Sequence, residues 1–169
     1  MEDLALNRRT EYGVRLCLVL ADGWPEDRVK ARELSRAADV SPGFAAQVLG
    51  ALVRAGLVVS YAGPHGGYEL ARDPAGVSLL EAIQALTGDL VSTRCMLWGG
   101  RCVPENPCAI HDAWHAAQEA FVTSLADTDL ATLARNRRHA VRPASVALEA
   151  RAPTLAGAPT GVPAAADRR

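Results

Sequence analysis

The sequence predicts a mainly α-helical fold that carries one small β-hairpin. Apolar residues recur at helical spacing in several segments, and the period then changes from about 3.6 to 2 near residue 57. A Gly-rich stretch joins two short β-rich runs directly after this change. The resulting order of helix, helix, turn, helix and hairpin predicts a winged helix-turn-helix, whose third helix is placed to enter a major groove of DNA.

Three helices open the predicted domain, and the residues at their ends set their limits. A tight connection at 39–41 separates the second helix from the third. Ser41 is a suitable N-cap, and Pro42 suits the first turn that follows. Gly56 ends the third helix as a C-cap residue. The predicted bounds of these helices are 8–22, 30–38 and 42–55.

A hairpin and three more helices follow in the prediction. Leu57–Tyr61 and Tyr68–Leu70 are the strands, and the segment between them contains Gly63, Gly66 and Gly67. The next helix is capped by Ser78 and ended by Gly88. The last two predicted helices are a long one from Asn106–Pro107 to about Leu125 and a shorter one at 128–137.

The chain divides into four predicted parts. These are a winged helix-turn-helix domain at 1–90, a loop at 91–107, dimerisation helices at 108–139 and an Ala/Pro/Arg-rich tail at 140–169. The tail lacks periodicity and is predicted to be disordered. No apolar run reaches the about 18 residues of a membrane helix, and the N-terminus has no signal-peptide layout, so we expect a cytoplasmic protein.

The charge of the chain does not favour a broad DNA-binding surface. The formal net charge of the whole chain is −1. Residues 1–90 contain nine Lys or Arg and twelve Asp or Glu, a net charge of −3. Any surface that binds the phosphate backbone is therefore expected to be local.

Three of the four cysteines form a cluster in the sequence. Cys17 stands alone in an apolar helix and is predicted to be a small buried core residue. Cys95, Cys102, Cys108 and His111 give the spacing C-x6-C-x5-C-x2-H. Thiolates suit both iron–sulfur clusters and zinc. The x6 and x5 gaps differ from the short knuckles of most zinc sites, so chemistry alone favours an iron–sulfur cluster and leaves structural zinc and a thiol redox switch as alternatives.

The start of the predicted long helix would position two of these four residues. With Asn106 as N-cap and Pro107 in the first turn, Cys108 and His111 would share one helix face. The free N–H groups of that helix end would favour a cluster of negative charge.

Three segments resemble one known family of regulators. RRTEYGVRLCLVLA (8–21) resembles its first helix, ARELSRAADVSPGFAAQVLGALVRAGLV (31–58) its helix-turn-helix, and GPHGGYELAR (63–72) its wing. These segments resemble the Rrf-two family of winged-helix transcriptional regulators, which includes IscR-like and NsrR-like iron–sulfur sensors. The resemblance implies a homodimer that binds a two-fold double-stranded DNA operator, formed through a helix at about 108–125.

The resemblance also implies the cofactor and its ligands. The three clustered cysteines would hold an iron–sulfur cluster, with the 2Fe–2S type favoured over 4Fe–4S. IscR-like members use a histidine that matches His111 as the fourth ligand, whereas NsrR-like members use an acidic residue where this chain has Glu11. Both options are open, and we favour His111 because the sequence ties it closely to Cys108.

The candidate DNA contacts lie in the first helix, the third helix and the wing. Gln47 is suited to bidentate bonding to adenine, and the wing glycines are predicted to allow a close approach to the minor groove. Ala46 and Ala62 replace a glutamate and an arginine of IscR-like relatives, so we expect a different operator. The candidates are Arg8, Arg9, Thr10, Ser41, Gln47, Arg54, Tyr61, His65, Gly66 and Gly67.

An enzymatic function is not predicted. The sequence shows no nucleotide-binding loop, no nucleophile–base pair and no second cluster motif. The leading interpretation is a regulator whose operator binding depends on an iron–sulfur cluster that senses iron–sulfur status, redox stress or nitric oxide. The alternative is a winged-helix DNA-binding protein with structural zinc or a thiol redox switch.

Overall fold

The predicted mainly α fold with a hairpin is confirmed. A computed structural model describes residues 7–26 and 28–139, and the predicted tail at 140–169 lies outside them. The elements are α1 (Arg8–Asp22), α2 (Ala31–Ala38), α3 (Pro42–Arg54), β1 (Val58–Tyr61), β2 (Gly67–Leu70), a 3-10 turn (Pro74–Gly76), α4 (Leu79–Thr87), α5 (His111–Ala126) and α6 (Leu130–His139).

Helix α1 lies at the centre of the core. It packs against α2, α3, α4 and α6. Leu16 and Cys17 of α1 and Leu49 of α3 have no exposed surface. A Cβ atom on Gly13 would lie 2.0 Å from Leu86 Cδ1, so this glycine allows α1 and α4 to approach closely. The core is built mainly from aliphatic side chains, and it joins α1, α2, α3, α4 and α6.

The turn between α2 and α3 forms where the sequence predicts it. Asp39 adopts a left-handed conformation with φ of 56°, which ends α2 and redirects the chain. The Ser35 hydroxyl donates to the Val40 carbonyl at 2.5 Å and ties the turn to α2. Ser41 occupies the predicted N-cap position of α3, although its side chain makes no capping hydrogen bond.

The wing is an antiparallel hairpin with an additional paired segment. Tyr61 pairs with Gly67 at the tip of the β1–β2 ladder. Val29, which precedes α2, pairs with Tyr68 through two backbone hydrogen bonds of 3.0 and 2.9 Å. This pairing was not predicted, because residues 28–30 are too short to show a strand pattern. It places residues 28–30 alongside the wing.

The start of the long helix differs from the prediction. α5 begins at His111, not at Pro107, and Ile110 is its N-cap. The preceding residues form turns in which the His111 N–H donates to the Cys108 carbonyl at 3.0 Å. The prediction that Cys108 shares a helix face with His111 is therefore wrong, as is the assignment of Asn106 as the N-cap.

The two C-terminal helices pack differently from each other. Leu130 and Ala134 of α6 are buried in the core with α1, so α6 belongs with the first domain in packing. The assignment of 108–139 as a dimerisation unit stays a prediction. None of the 16 residues of α5 is buried, although this helix packs against α4. Helix α5 is therefore the element that projects from the core.

Candidate metal centre and DNA-facing surface

The segment predicted as a loop at 91–107 folds into a small hairpin. The Cys95 N–H donates to the Gly100 carbonyl at 2.7 Å, and the Cys102 N–H donates to the Thr93 carbonyl at 2.8 Å. These bonds close the chain on itself between the first two cysteines. They fix Cys95 and Cys102 on opposite arms of one hairpin.

The four favoured ligands form two pairs in space. Cys95 Sγ lies 3.8 Å from Cys108 Sγ. Cys102 Sγ lies 3.2 Å from His111 Nδ1. Each pair joins the hairpin to the segment at the start of α5. The pairing differs from the order in the sequence, where Cys108 and His111 are the nearest neighbours.

His115 is a neighbour that the sequence analysis did not assign. Its Nε2 lies 3.7 Å from Cys102 Sγ, and its ring centroid is 4.4 Å from that of His111. His111 and His115 are four residues apart and so lie on one face of α5. The H-x3-H spacing of His111 and His115 is the signal in the sequence by which His115 could have been identified.

The cysteine thiols have different electrostatic surroundings. Hydrogen bonds from the backbone of Trp98, and then of Leu97, hold the pKa of Cys95 below its ordinary value against the effect of burial, and the hydrogen bond between the Cys95 and Cys108 thiols lowers it further. Burial and the charges of Cys95 and Cys108 raise the pKa of Cys102. Hydrogen bonds to ligand sulfur also adjust the properties of iron–sulfur centres.

The donor set and its spacing fit an iron–sulfur cluster. Tetrahedral coordination with bonds of about 2.3 Å separates two sulfur ligands by about 3.8 Å, and shorter bonds of about 2.0 Å to nitrogen reduce the separation. The Cys95–Cys108 distance of 3.8 Å matches the separation of two sulfur ligands, and the Cys102–His111 distance of 3.2 Å is somewhat shorter than the sulfur–nitrogen separation of about 3.5 Å. Three thiolates and an imidazole are ligands used for such clusters.

Glu11 and Cys17 lie outside this group. The exposed Glu11 carboxylate pairs with Arg15 one turn further along α1. Among the described residues, the grouped metal-ligand atoms are those of Cys102, His111 and His115. Cys17 is fully buried, as predicted, and burial raises its pKa to about 12. Its thiol therefore remains protonated at neutral pH.

The exposed face of α3 carries several of the predicted DNA contacts. Ser41, Gln47 and Arg54 are all exposed. Gln47 and Arg54 line a surface cleft of about 400 Å³ together with Arg9 from α1. The cleft brings two guanidinium groups close to the amide that is suited to reading a base edge. Arg8, which precedes Arg9 at the start of α1, is exposed as well.

Thr10 does not belong to this surface. Its side chain is fully buried, and its hydroxyl donates to Asn7 Oδ1 at 3.0 Å. The same Asn7 atom accepts from the Thr10 N–H and caps α1. Thr10 therefore supports the helix end, and its hydroxyl is occupied by the bond to Asn7.

The wing glycines have a role inside the protein. A Cβ atom on Gly66 would lie 2.1 Å from the Tyr61 carbonyl oxygen, and one on Gly67 would lie 2.9 Å from the Val29 carbonyl oxygen. Both residues are buried. The wing therefore requires glycine at both positions on steric grounds, and their close approach to DNA stays a prediction.

Two basic residues next to the wing were missed in the sequence. The Lys30 ammonium donates to the Pro64 carbonyl at the wing tip at 2.7 Å. Arg28 lies 3.8 Å above the Tyr61 ring centroid and pairs with Glu69 at 3.1 Å. The wing from 55 to 71 has no Lys or Arg of its own. The paired segment at 28–30 thus supplies the positive charge found beside it.

Tyr61 and His65 occupy different positions on the wing. The Tyr61 hydroxyl donates to Glu69 at 2.7 Å, which raises the pKa of Tyr61 and lowers that of Glu69. His65 is exposed at the tip. Tyr61 is therefore held in place by internal contacts, while His65 faces solvent.

The fold and the site define a winged-helix protein with a cysteine–histidine centre. A family model described as Rrf2, iron-dependent transcriptional regulator, matches residues 6–136. The chain belongs to the Rrf2 family, which is the family that its sequence motifs resemble. It is a transcriptional regulator and not an enzyme.

The similar proteins are regulators from several bacteria. The HTH-type transcriptional regulator IscR of Xenorhabdus nematophila is 29% identical over 79% of this chain and 81% of its own length. The HTH-type regulator Rv1287 of Mycobacterium tuberculosis is 30% identical over 78% of this chain and 81% of its own length. The sequence likeness thus extends over most of each protein.

Solved structures share the fold. T. potens IscR has a TM-score of 0.65 and 22% identity, and the match covers 84% of this chain and 94% of that chain. CymR, the global cysteine regulator of B. subtilis, has a TM-score of 0.68 and 23% identity, covering 79% and 98%. In residues 7–26 and 28–139, no helix has the length and apolarity needed to cross a membrane.

Proposed function

We propose that this regulator binds a DNA operator under the control of an iron–sulfur cluster held by Cys95, Cys102, Cys108 and His111. The observation that carries the proposal is the pairing of these ligands, Cys95 with Cys108 at 3.8 Å and Cys102 with His111 at 3.2 Å. The 2Fe–2S type is favoured because the ligands form two pairs, one for each iron. Bound there, the cluster would supply a centre that responds to oxidation, nitric oxide or iron loss.

The protein ties the ligand hairpin to α5 at both of its ends. The Ser92 N–H donates to Gln118 Oε1 at 2.7 Å. Cys102 contacts His111 and His115 at the other end. α4, which precedes the hairpin, packs on α1 and α3. Ordering the hairpin would therefore fix the direction of α5 relative to the recognition helix α3.

A homodimer through α5 is part of the proposal. This helix has no buried residue in the protomer, and Phe121 is 37% exposed. A second copy packed along α5 would cover this surface and place two α3 helices for a two-fold operator. A change in the direction of α5 would then alter the spacing of the two recognition helices.

The proposed DNA surface combines α3, the start of α1 and the wing. Gln47 and Ser41 face bases, while Arg8, Arg9 and Arg54 bind phosphates around the cleft. Beside the wing, the DNA backbone or minor groove is contacted by Arg28, Lys30 and His65. The positive charge that binds phosphate is thus confined to this surface, while residues 1–90 as a whole have a net charge of −3.

Anaerobic purification of the full chain tests the cofactor. We expect an absorbance spectrum of a cluster, with iron and acid-labile sulfide in equal amounts. Operators selected from random DNA should then bind holo and cluster-free protein with affinities that differ by about tenfold or more. Protein without iron or sulfide, or equal affinity on every selected operator, would refute the proposed control.

A thiol switch is the second candidate, and the 3.8 Å between Cys95 Sγ and Cys108 Sγ favours it. Two thiols forming a disulfide release two protons and two electrons, which reduce hydrogen peroxide to two water molecules. Peroxide treatment of cluster-free protein followed by mass analysis detects this bond. A Cys95–Cys108 disulfide that changes operator affinity in protein that never binds iron would establish this alternative.

A further inference from the structure

Three ligand atoms converge at the start of α5 without Cys95 or Cys108. Cys102 Sγ, His111 Nδ1 and His115 Nε2 all lie within 4.8 Å of one another. The distances from sulfur to the two nitrogens are 3.2 and 3.7 Å. Helical spacing holds both imidazoles on one face of α5, so the two histidines are positioned before any ligand arrives.

We propose that Cys102, His111 and His115 form a binding site for one divalent ion of the zinc class in the cluster-free protein. Tetrahedral zinc with bonds of about 2.3 Å to sulfur and about 2.0 Å to nitrogen separates these donors by about 3.5 Å. The observed distances bracket that value. One thiolate and two imidazoles are also a donor set that zinc accepts.

The site is open on one side. Cys102 and His111 are half-buried, whereas His115 is exposed. An ion can therefore enter from solvent and keep a water molecule in its fourth position, as zinc does in sites with three protein ligands. The ion would join the Cys102 arm of the hairpin to two successive turns of α5.

This site shares two ligands with the proposed cluster. Cys102 and His111 would serve both, while Cys95 and Cys108 would serve the cluster and His115 the single ion. One protomer can therefore hold the cluster or the ion but not both. Loss of the cluster exposes a site at which zinc binding would oppose reassembly.

Titration of the cluster-free full chain with Co²⁺ tests the site. Cobalt substitutes for zinc and reports tetrahedral thiolate coordination through its visible and charge-transfer bands. We expect one Co²⁺ per protomer, displaced by Zn²⁺. Cys102→Ser and His115→Ala should each weaken binding by more than about tenfold, since even outer-shell changes cost about 10–100-fold. Cys95→Ser should bind as the unchanged chain does.

Glu119→Ala is the matched control. Glu119 is exposed one turn beyond His115 on α5 and lies outside the ligand group. Its removal should leave the Co²⁺ affinity unchanged, and circular dichroism checks that each variant folds. Absence of tetrahedral Co²⁺ binding, or its loss in Cys95→Ser together with retention in His115→Ala, overturns the proposal.

The same variants separate this proposal from that of the cluster. His115→Ala should still take up iron and sulfide on reconstitution, because His115 is not a cluster ligand. Cobalt binding by a chain that never assembles a cluster would support the ion site alone. Cluster assembly without cobalt binding to the cluster-free chain would support the cluster alone.

Discussion

Cys102 Sγ lies 3.2 Å from His111 Nδ1 and so connects the end of the ligand hairpin to the first residue of α5. The sequence had suggested that His111 acts with Cys108, three residues before it. In the structure Cys108 instead faces Cys95. Both pairs therefore join the hairpin to the segment at the start of α5, so that a cluster held by these four residues would couple its assembly to the position of that helix.

The fourth ligand is tested by a pair of substitutions. His111→Ala should sharply reduce cluster retention, because it removes a donor already placed beside Cys102. Glu11→Ala should leave the absorbance spectrum almost unchanged, since Glu11 pairs with Arg15 on α1. Iron and sulfide content after anaerobic purification is the measurement. If Glu11→Ala loses the cluster while His111→Ala keeps it, the acidic ligand of NsrR-like relatives is the right assignment.

Replacing the wing glycine Gly66 is expected to destabilise the folded protein. Gly66→Ala places a Cβ atom 2.1 Å from the Tyr61 carbonyl, so the wing backbone must shift. We expect a destabilisation of about 1–3 kcal/mol, together with weaker operator binding. Thermal unfolding measures it. Gly76→Ala is the control, because its Cβ meets nothing within 4 Å. Equal melting temperatures for the two variants would contradict the steric account.

The cleft residue Arg54 is predicted to bind phosphate. Arg54→Gln should weaken binding to all DNA sequences alike and reduce the slope of log affinity against log salt by about 0.9. Arg135→Gln on α6 is the control, since Arg135 bonds Thr132 on the same helix. Fluorescence anisotropy across a range of salt concentrations gives both slopes. An unchanged slope for Arg54→Gln would remove it from the DNA surface.

Removing the negative charge of Glu69 is expected to raise the affinity for DNA. It holds Arg28 in an ion pair beside the wing, at the place proposed to face DNA. Glu69→Gln should therefore strengthen DNA binding by about threefold at low salt, the scale expected for an exposed ion pair. High salt should cancel the gain through screening.

A second acid–arginine pair provides the comparison for Glu69. Glu81 on α4 pairs with Arg72 in a similarly exposed setting. Glu81→Gln changes the net charge equally but lies outside the proposed DNA surface. An equal gain in both variants would show a general charge effect and would remove Arg28 from the wing contact.

The helices and the hairpin could be predicted because their signals are local. The αL turn at Asp39 and the capping serine Ser78 both lie where the sequence places them. The start of α5 was misplaced because an Asn–Pro dipeptide suits a turn as well as a helix start. The turn forms here, and it leaves Cys108 outside the helix beside Cys95.

The sequence by itself determined the order of the elements and the buried character of Cys17, and it named the candidate donors Cys95, Cys102, Cys108 and His111. These properties depend on residue type and on spacing along the chain. Only the tertiary structure decided which donors pair, that His115 joins them, and that Lys30 and Arg28 lie beside the wing. Those contacts join different elements of the chain, and the folding of the chain sets their distances.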